Sequence, residues 1–576
     1  MSVRRHPAVS GRRAETLVWL VPTLATLAVG LAGIGRAQPW RDELASWSAA
    51  TRPLPDLFRL TGTVDAATGP YYLLLHGWVR LVGDSPAALR LPSALAMAAA
   101  AGLAAVLGRR LFGARAGLLA GLLLAVLPGT SRYAQEARPY ALATLFAVLA
   151  TLLLGRALDR PGPARWAGYS AAVAALGLTH LLALSLLPAH ALAVLAATWA
   201  GPDAAAGPDA AAGRGAAAGP NAAAVAGASP AAKVRGTVAN ARDGRANGAR
   251  DRRLPLHWVL ALLPALVVLT PLLLRTRGQH SRQLDWVEPA RLADLAALPG
   301  GVAQSSVVGG LVVGLAALGA ARAGRRALLP GSCVLLPVLL IFAAGLVVPL
   351  WVPRYLLFTV PFAGVLAGAA LAAAPATPGP PAVAPGSTTD PVPQTSRTTT
   401  AASGTSPAVA GTPAAARLRS LVPGLAVVAL AGLLGLPDQV SLRQTHGWPR
   451  SAAVDYRGAA EIVGAGREPG DAIVYWPRDG WLFLDLGLAY HLGGQRPRDV
   501  LVVRDQRQRA DLWVTECARP AECLAGVRRV WLVVAGRRSD PLGAVGGAKG
   551  DALRDGYTVA RVWQRPGLTV ALLTTT

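Results

Sequence analysis

The chain has 576 residues, 53% of them hydrophobic, and its 56 Lys+Arg against 31 Asp+Glu give a formal net charge of +25. Hydrophobic blocks of about twenty residues recur along it, the length an α-helix needs to cross hydrocarbon, which excludes a soluble domain with a single anchor. The positive charge does not point to nucleic acid: the Arg residues cluster between the blocks, as in cytoplasmic loops of membrane proteins, and no nucleic-acid motif accompanies them.

The first block runs over 17–35 behind Arg4, Arg5, Arg12 and Arg13. No small-residue cleavage site follows, so an uncleaved first helix is expected. Further blocks fall at 88–107, 115–130, 139–155, 166–180, 181–199, 256–274, 302–320, 329–350, 355–374 and 419–436. These predict a polytopic α-helical protein of about eleven transmembrane helices. Pro70–Val82 is apolar but only about a dozen residues long, and is predicted as a juxtamembrane or re-entrant helix in the first outer loop.

Charge orients this topology. With the N-terminus in the cytoplasm, Arg109, Arg110 and Arg115, then Arg156, Arg160 and Arg165, then Arg322, Arg325 and Arg326 all fall in inner connections. The odd helix count puts the C-terminus outside. The expected location is the cell membrane.

The predicted organisation is a membrane core in two parts, 1–200 and 254–374, with a last transmembrane helix at 418–437. Residues 201–253 repeat G-P-D-A-A-A and G-P-N-A-A-A, and 375–417 are rich in Pro, Thr and Ser. Neither can bury a core, and both are expected to be disordered cytoplasmic loops. From 438 to 576 charged and aromatic residues return at soluble frequencies. A helix at Tyr456–Gly464 and strands at Asp471–Trp476, Asp499–Arg504, Val530–Ala535, Tyr557–Trp563 and Leu568–Leu573 predict a small extracytoplasmic α/β domain. Cys517 and Cys523 lie in it, where an oxidising compartment permits a local disulfide.

Ionisable residues are nearly absent from the blocks, apart from His180, His190 and His257, in contrast to ion-coupled transporters. They collect in outer loops instead. Asp42 and Glu43 follow the first block within R-D-E-L, Glu136 and Arg138 lie in S-R-Y-A-Q-E-A-R-P-Y, Trp286 follows Asp285, and Arg354-Tyr355 open the tenth block. A carboxylate base beside Arg residues at a bilayer suits transfer from a lipid phosphate. The base takes the acceptor proton, and Arg holds the leaving phosphate.

The order of these pieces resembles the GT-C glycosyltransferases of the family 39 type, the protein mannosyltransferase and aminoarabinose transferase group. The matching pieces are D-E after the first block, G-P-Y-Y-L-L-L-H, A-L-R-L-P-S-A-L, G-R-R-L-F-G, S-R-Y-A-Q-E-A-R-P-Y-A-L and P-R-Y-L-L. The resemblance implies a GT-C fold and an inverting transfer of a sugar, mannose or another hexose. The donor would be a polyprenyl-phosphate sugar and the acceptor an extracytoplasmic glycan, lipid or protein. It implies Asp42 as catalytic base, with Glu43 and Glu136 in the catalytic set, and Arg138, Arg354 and Tyr355 at the donor phosphate. Tyr71, Tyr72, His76 and Trp286 are candidate acceptor or lipid contacts. Many relatives carry His-Pro-Pro before the Tyr-Tyr, where this chain has Thr68-Gly69-Pro70. No cofactor is required by this reading, and a divalent metal stays open. The alternatives are a lipid-linked-sugar transporter or flippase, and an inactive relative that binds the lipid carrier.

Overall fold

The computed structural model describes residues 8–199, 253–279, 287–373, 421–445 and 454–576. The two low-complexity segments, with their Arg residues, and Trp286 lie outside the described residues.

The N-terminal half is a run of helices: α1 (Ala8–Leu31), α2 (Arg41–Ala50), α3 (Leu54–Thr63), α4 (Gly69–Val82) and α5 (Pro86–Phe112). It continues with α6 (Ala114–Val126), α7 (Pro128–Ala134), α8 (Tyr140–Asp159), α9 (Pro163–Thr179) and α10 (Leu187–Trp199). The starts follow local chemistry. Pro70, Pro86, Pro128 and Pro163 stand in first turns, where a missing N–H costs nothing, and Ser85 accepts from Ala88 N at 3.2 Å. Gly113, at φ 94°, turns the chain between α5 and α6. A side chain on Gly117 would meet Ala105 O at 2.3 Å, so this glycine sets how closely α6 approaches α5.

Among the described residues seven helical segments are long and apolar enough to cross a membrane, or eight if the bent pair α6–α7, angled at 67°, forms one span. One of the seven, Ser306–Gly345, has 40 residues. At 1.5 Å per residue that is about twice the hydrocarbon thickness, and it turns at Gly324 into two legs. The expected block at 166–180 is the 17-residue α9, and the first block is a helix whose apolar part is Glu15–Leu31. The protein is a multi-pass membrane protein of mostly helical fold.

The Arg-rich connections gather at one end of the bundle. Arg109 lies 3.5 Å from Glu15, and Arg110 pairs with Asp159, which joins the start of α1 to the α5–α6 turn and the α8–α9 connection. In the interior, His190 is satisfied rather than exposed to lipid. Trp258 Nε1 donates to Tyr169 O–H at 2.9 Å, Tyr169 lies 3.1 Å from His190 Nδ1, and Thr151 lies 3.0 Å from Nε2. One direction of donation satisfies all four groups if Nε2 carries the proton.

The other end carries a continuous layer. The first outer loop is not a loop with one short helix but three helices, α2 to α4. The helix expected at Pro70–Val82 is α4. It buries Tyr71, Tyr72, Leu75 and His76 and exposes Leu73, Leu74, Leu81 and Val82, a face suited to the bilayer boundary. The buried side chains of α2–α4 join those of the C-terminal region in one core, with Leu44, Leu57 and Tyr72 packed beside Tyr456, Phe483 and Trp531. Polar contacts fix the join: Gln38 Nε2 donates to Val454 O at 3.0 Å, and Arg52 Nη2 to Asp511 O at 2.7 Å.

The C-terminal region holds a helix at Tyr456–Gly466 and the strands β1 (Ala472–Trp476), β2 (Arg498–Asp499), β3 (Val502–Arg504), β4 (Thr515–Glu516), β5 (Arg529–Ala535), β6 (Tyr557–Arg565) and β7 (Leu568–Thr575). Five form a sheet ordered β2-β1-β5-β7-β6, in which β1 pairs parallel with β2 and β5, and β7 lies antiparallel to β5 and β6. The single strand expected over Asp499–Arg504 is two, because the chain leaves this sheet after β2 and pairs through β3 with β4. Cys517 and Cys523 are joined as a disulfide, and Cys333 is a buried free thiol.

Candidate functional site

Between the helical bundle and the C-terminal region lies a cavity of about 660 Å³. Its polar wall carries Arg41, Asp42, Asp65, Arg138, Tyr140, His180, Arg277, Arg354 and Tyr355. Leu181, Leu182, Leu273, Val348 and Leu350 supply an apolar wall, while Trp481, Phe483 and Leu512 come from the C-terminal region. The cavity is therefore amphiphilic, and four guanidinium groups face two carboxylates.

Asp42 reaches the wall from the first turn of α2. It stands 3.6 Å from Arg354 Nη2 and 3.6 Å from Arg41 Nε, with its side chain 17% exposed. Arg354, in the 3₁₀ turn Pro353–Thr359, donates from Nε to Tyr140 O–H at 3.1 Å. Tyr355 and Tyr140 flank His180, with ring centroids 5.2 and 5.8 Å away. Arg138 donates from Nη1 to Tyr72 O–H at 3.3 Å, and that hydroxyl donates to Asp65. Asp65, in the left-handed region at φ 58°, also accepts from Thr68 O–H at 2.9 Å.

Glu43 points away from this wall. Arg90 Nε donates to its Oε1 at 2.8 Å and Arg90 Nη2 to its Oε2 at 2.7 Å, while Ala137 N and Trp40 N donate to the same oxygens at 2.9 and 3.3 Å. Arg90 also donates to Ile34 O, Ala37 O and Gln38 O, so one buried guanidinium holds the segment that leads into α2. Glu136 is buried behind the wall, 2.9 Å from Arg132 Nη1. Burial pushes its carboxyl up to about 7, against the pull of Arg132 and with the support of Asp42 and Glu43.

A family model described as dolichyl-phosphate-mannose-protein mannosyltransferase matches residues 70–202. The crystal structure of ArnT from Cupriavidus metallidurans in the apo state superposes with a TM-score of 0.54 at 15% identity, covering 96% of this chain and 97% of that one. The same protein bound to undecaprenyl phosphate gives the same score and identity, covering 96% and 98%. No curated protein sequence matched. The chain shares the fold of these ArnT structures.

Within this fold the sequence-predicted residues divide. Asp42, Arg138, Arg354 and Tyr355 share the cavity wall. Glu43 and Glu136, expected in the catalytic set, do not line it, because each is turned into a buried pairing with an Arg. Tyr72 touches the site through Arg138 and Asp65, and Tyr71 is buried in the core. His76 is held by its Nδ1, 2.8 Å from Ala50 O, inside the α2–α4 layer rather than at the cavity. Among the described residues no group of three or more His, Cys, Asp or Glu is placed to hold a metal ion.

The site also depends on residues that were not among the candidates. Arg90 stood within A-L-R-L-P-S, a charge just inside an apolar block, which was a usable signal. Trp481 and Phe483, far along the chain in a soluble-looking region, gave none.

Proposed function

We propose that this chain transfers a sugar, mannose or another hexose, from a polyprenyl-phosphate sugar to an acceptor hydroxyl outside the membrane, by single displacement with inversion. Asp42 takes the acceptor proton as the acceptor oxygen attacks the anomeric carbon. The bond from that carbon to the phosphate oxygen breaks, and polyprenyl phosphate leaves with the electron pair. Arg354 and Arg138 hold the phosphate and stabilise the charge that grows on it. The apolar wall takes the first part of the polyprenyl chain, and Tyr355 packs beside the phosphate group.

The observation that carries this reading is the cavity itself. One acid able to act as a base, four guanidinium groups and an apolar wall meet in a single amphiphilic space. The likeness to an ArnT crystallised with undecaprenyl phosphate supports a lipid-phosphate occupant. In this reading the cavity end of the bundle is extracytoplasmic, and the Arg-rich end faces the cytoplasm. The domain boundaries predicted from composition are kept, with 438–576 outside.

Purified protein incubated with a panel of polyprenyl-phosphate sugars should release polyprenyl phosphate from at least one of them. Binding of the donors without release from any, across a panel of acceptors, would sink the transferase reading and favour a transporter or an inactive carrier-binding protein.

A further inference from the structure

A second cavity, of about 510 Å³, lies entirely within the C-terminal region. Trp476, Trp481 and Trp513 line it together with Arg478, Asp479, Arg509, Glu516 and Lys549. Trp481 is also part of the wall of the first cavity, so the two spaces share this residue. The aromatic wall is ordered. Trp481 and Trp513 meet edge to face at 4.9 Å, and the Lys549 ammonium lies 5.3 Å from the Trp476 ring centre.

The charges in this cavity differ from those in the first. Each lining cation already faces a carboxylate. Arg478 pairs with Asp499, lies 3.2 Å from Glu516 and 3.6 Å from Asp485. Lys549 pairs with Glu516, and Arg509 lies 3.3 Å from Asp511. Asp479, which is exposed at the mouth, and Glu516 line the cavity beside the three cations, while Asp485, Asp499 and Asp511 stand behind them with Arg496 and Arg52, so five carboxylates meet five cations and the charges of the cluster balance. An anion would find no lining cation that is not already paired. Polar capacity nevertheless remains: Arg478 Nε and Nη1 and Glu516 Oε1 are buried in ion-pair contact but without hydrogen-bond alignment, and the Arg478 side chain is only 7% exposed.

Indole faces beside buried donors and acceptors, with no surplus cation, suit a ligand that has apolar C–H faces and many hydroxyls but no charge. We propose that this cavity binds a neutral oligosaccharide, which serves as the acceptor and presents a hydroxyl past Trp481 toward Asp42. As an acceptor site it rests on the transferase reading above; as a saccharide site it rests on the cavity alone.

The test is calorimetric titration of the full-length protein in detergent with three neutral trisaccharides (mannotriose, maltotriose and arabinotriose), trigalacturonate and inorganic phosphate. At least one neutral trisaccharide should bind. Trp476→Ala should weaken it about tenfold, the worth of one aromatic contact. Asp479→Asn, at an exposed position that leaves the core intact, should weaken it by a smaller factor. Thermal unfolding and donor binding check that both variants are folded. The proposal is overturned if no neutral trisaccharide binds, if both variants bind as the parent does, or if trigalacturonate or phosphate competes for the site. Polyprenyl phosphate release is measured on the same preparation. Release without trisaccharide binding leaves the transferase reading and removes this one; trisaccharide binding that depends on Trp476 without release from any donor does the reverse.

Discussion

Glu43 and Arg90 form a two-point ion pair, with Arg90 Nε 2.8 Å from Oε1 and Nη2 2.7 Å from Oε2, and each side chain is only 1% exposed. The pair ties the first turn of α2 to α5 and leaves the neighbouring Asp42 on the cavity wall. Removing one partner strands the other charge in the protein interior, at a cost of about 3–5 kcal/mol. Glu43→Ala and Arg90→Ala should therefore both lower the thermal unfolding temperature in detergent. The double variant should lose less than the sum of the two, because no stranded charge remains. An additive double variant would show that the pair is not coupled.

Asp42→Asn keeps the shape of the side chain but cannot accept a proton. General-base assistance is typically worth about 10²–10⁴-fold, and turnover should fall by that order while donor binding persists. Arg354→Ala should weaken donor binding as well as turnover, since its guanidinium would touch the phosphate before and during departure. Polyprenyl phosphate release and donor binding measured on both variants separate the two roles. Near-normal turnover in Asp42→Asn would remove Asp42 as the base.

Glu136 gives a pH prediction. Its carboxyl is raised from an ordinary value of 4.5 to about 7, chiefly by burial. Between those values the folded state binds more proton than the unfolded state, so this group's stabilisation is full below about pH 4.5 and is lost as the pH rises through about 7. Unfolding temperatures of the parent should thus fall relative to Glu136→Gln as pH is raised across this window. Parallel pH profiles for the two proteins would refute the assignment.

The topology can be checked without any activity. Ser539 is exposed in the C-terminal region. A cysteine placed there should react with an impermeant maleimide in intact cells, and one at Ala210 should not. The inverse result would turn the whole bundle over. Shortening 204–250 to a Gly-Ser linker should leave expression and transfer near the parent's level, since that stretch offers a core almost no apolar side chain larger than Val.

Much of the architecture is written locally. Membrane spans are set by runs of apolar residues, because backbone groups in hydrocarbon must pair within the helix, and these runs are visible in the chain. Pro in first turns and the strand-forming runs near the C-terminus act over a few residues and are equally legible. So was the acid pair Asp42-Glu43. Which of the two faces the cavity was not. Successive residues on a helix diverge by about 100°. The choice between them was made by Arg90, which draws Glu43 inward. Glu136 pairs with Arg132, only four residues earlier, but its burial behind the wall comes from packing. Arg354 meets Asp42, and Trp481 and Phe483 close the cavity, only because helices far apart in sequence pack side by side and the C-terminal region shares a core with α2–α4. The sequence by itself determined the apolar runs, the charge asymmetry and the candidate acids; tertiary packing decided which runs form full spans, which carboxylate is presented and what surrounds it, since that depends on contacts between distant segments.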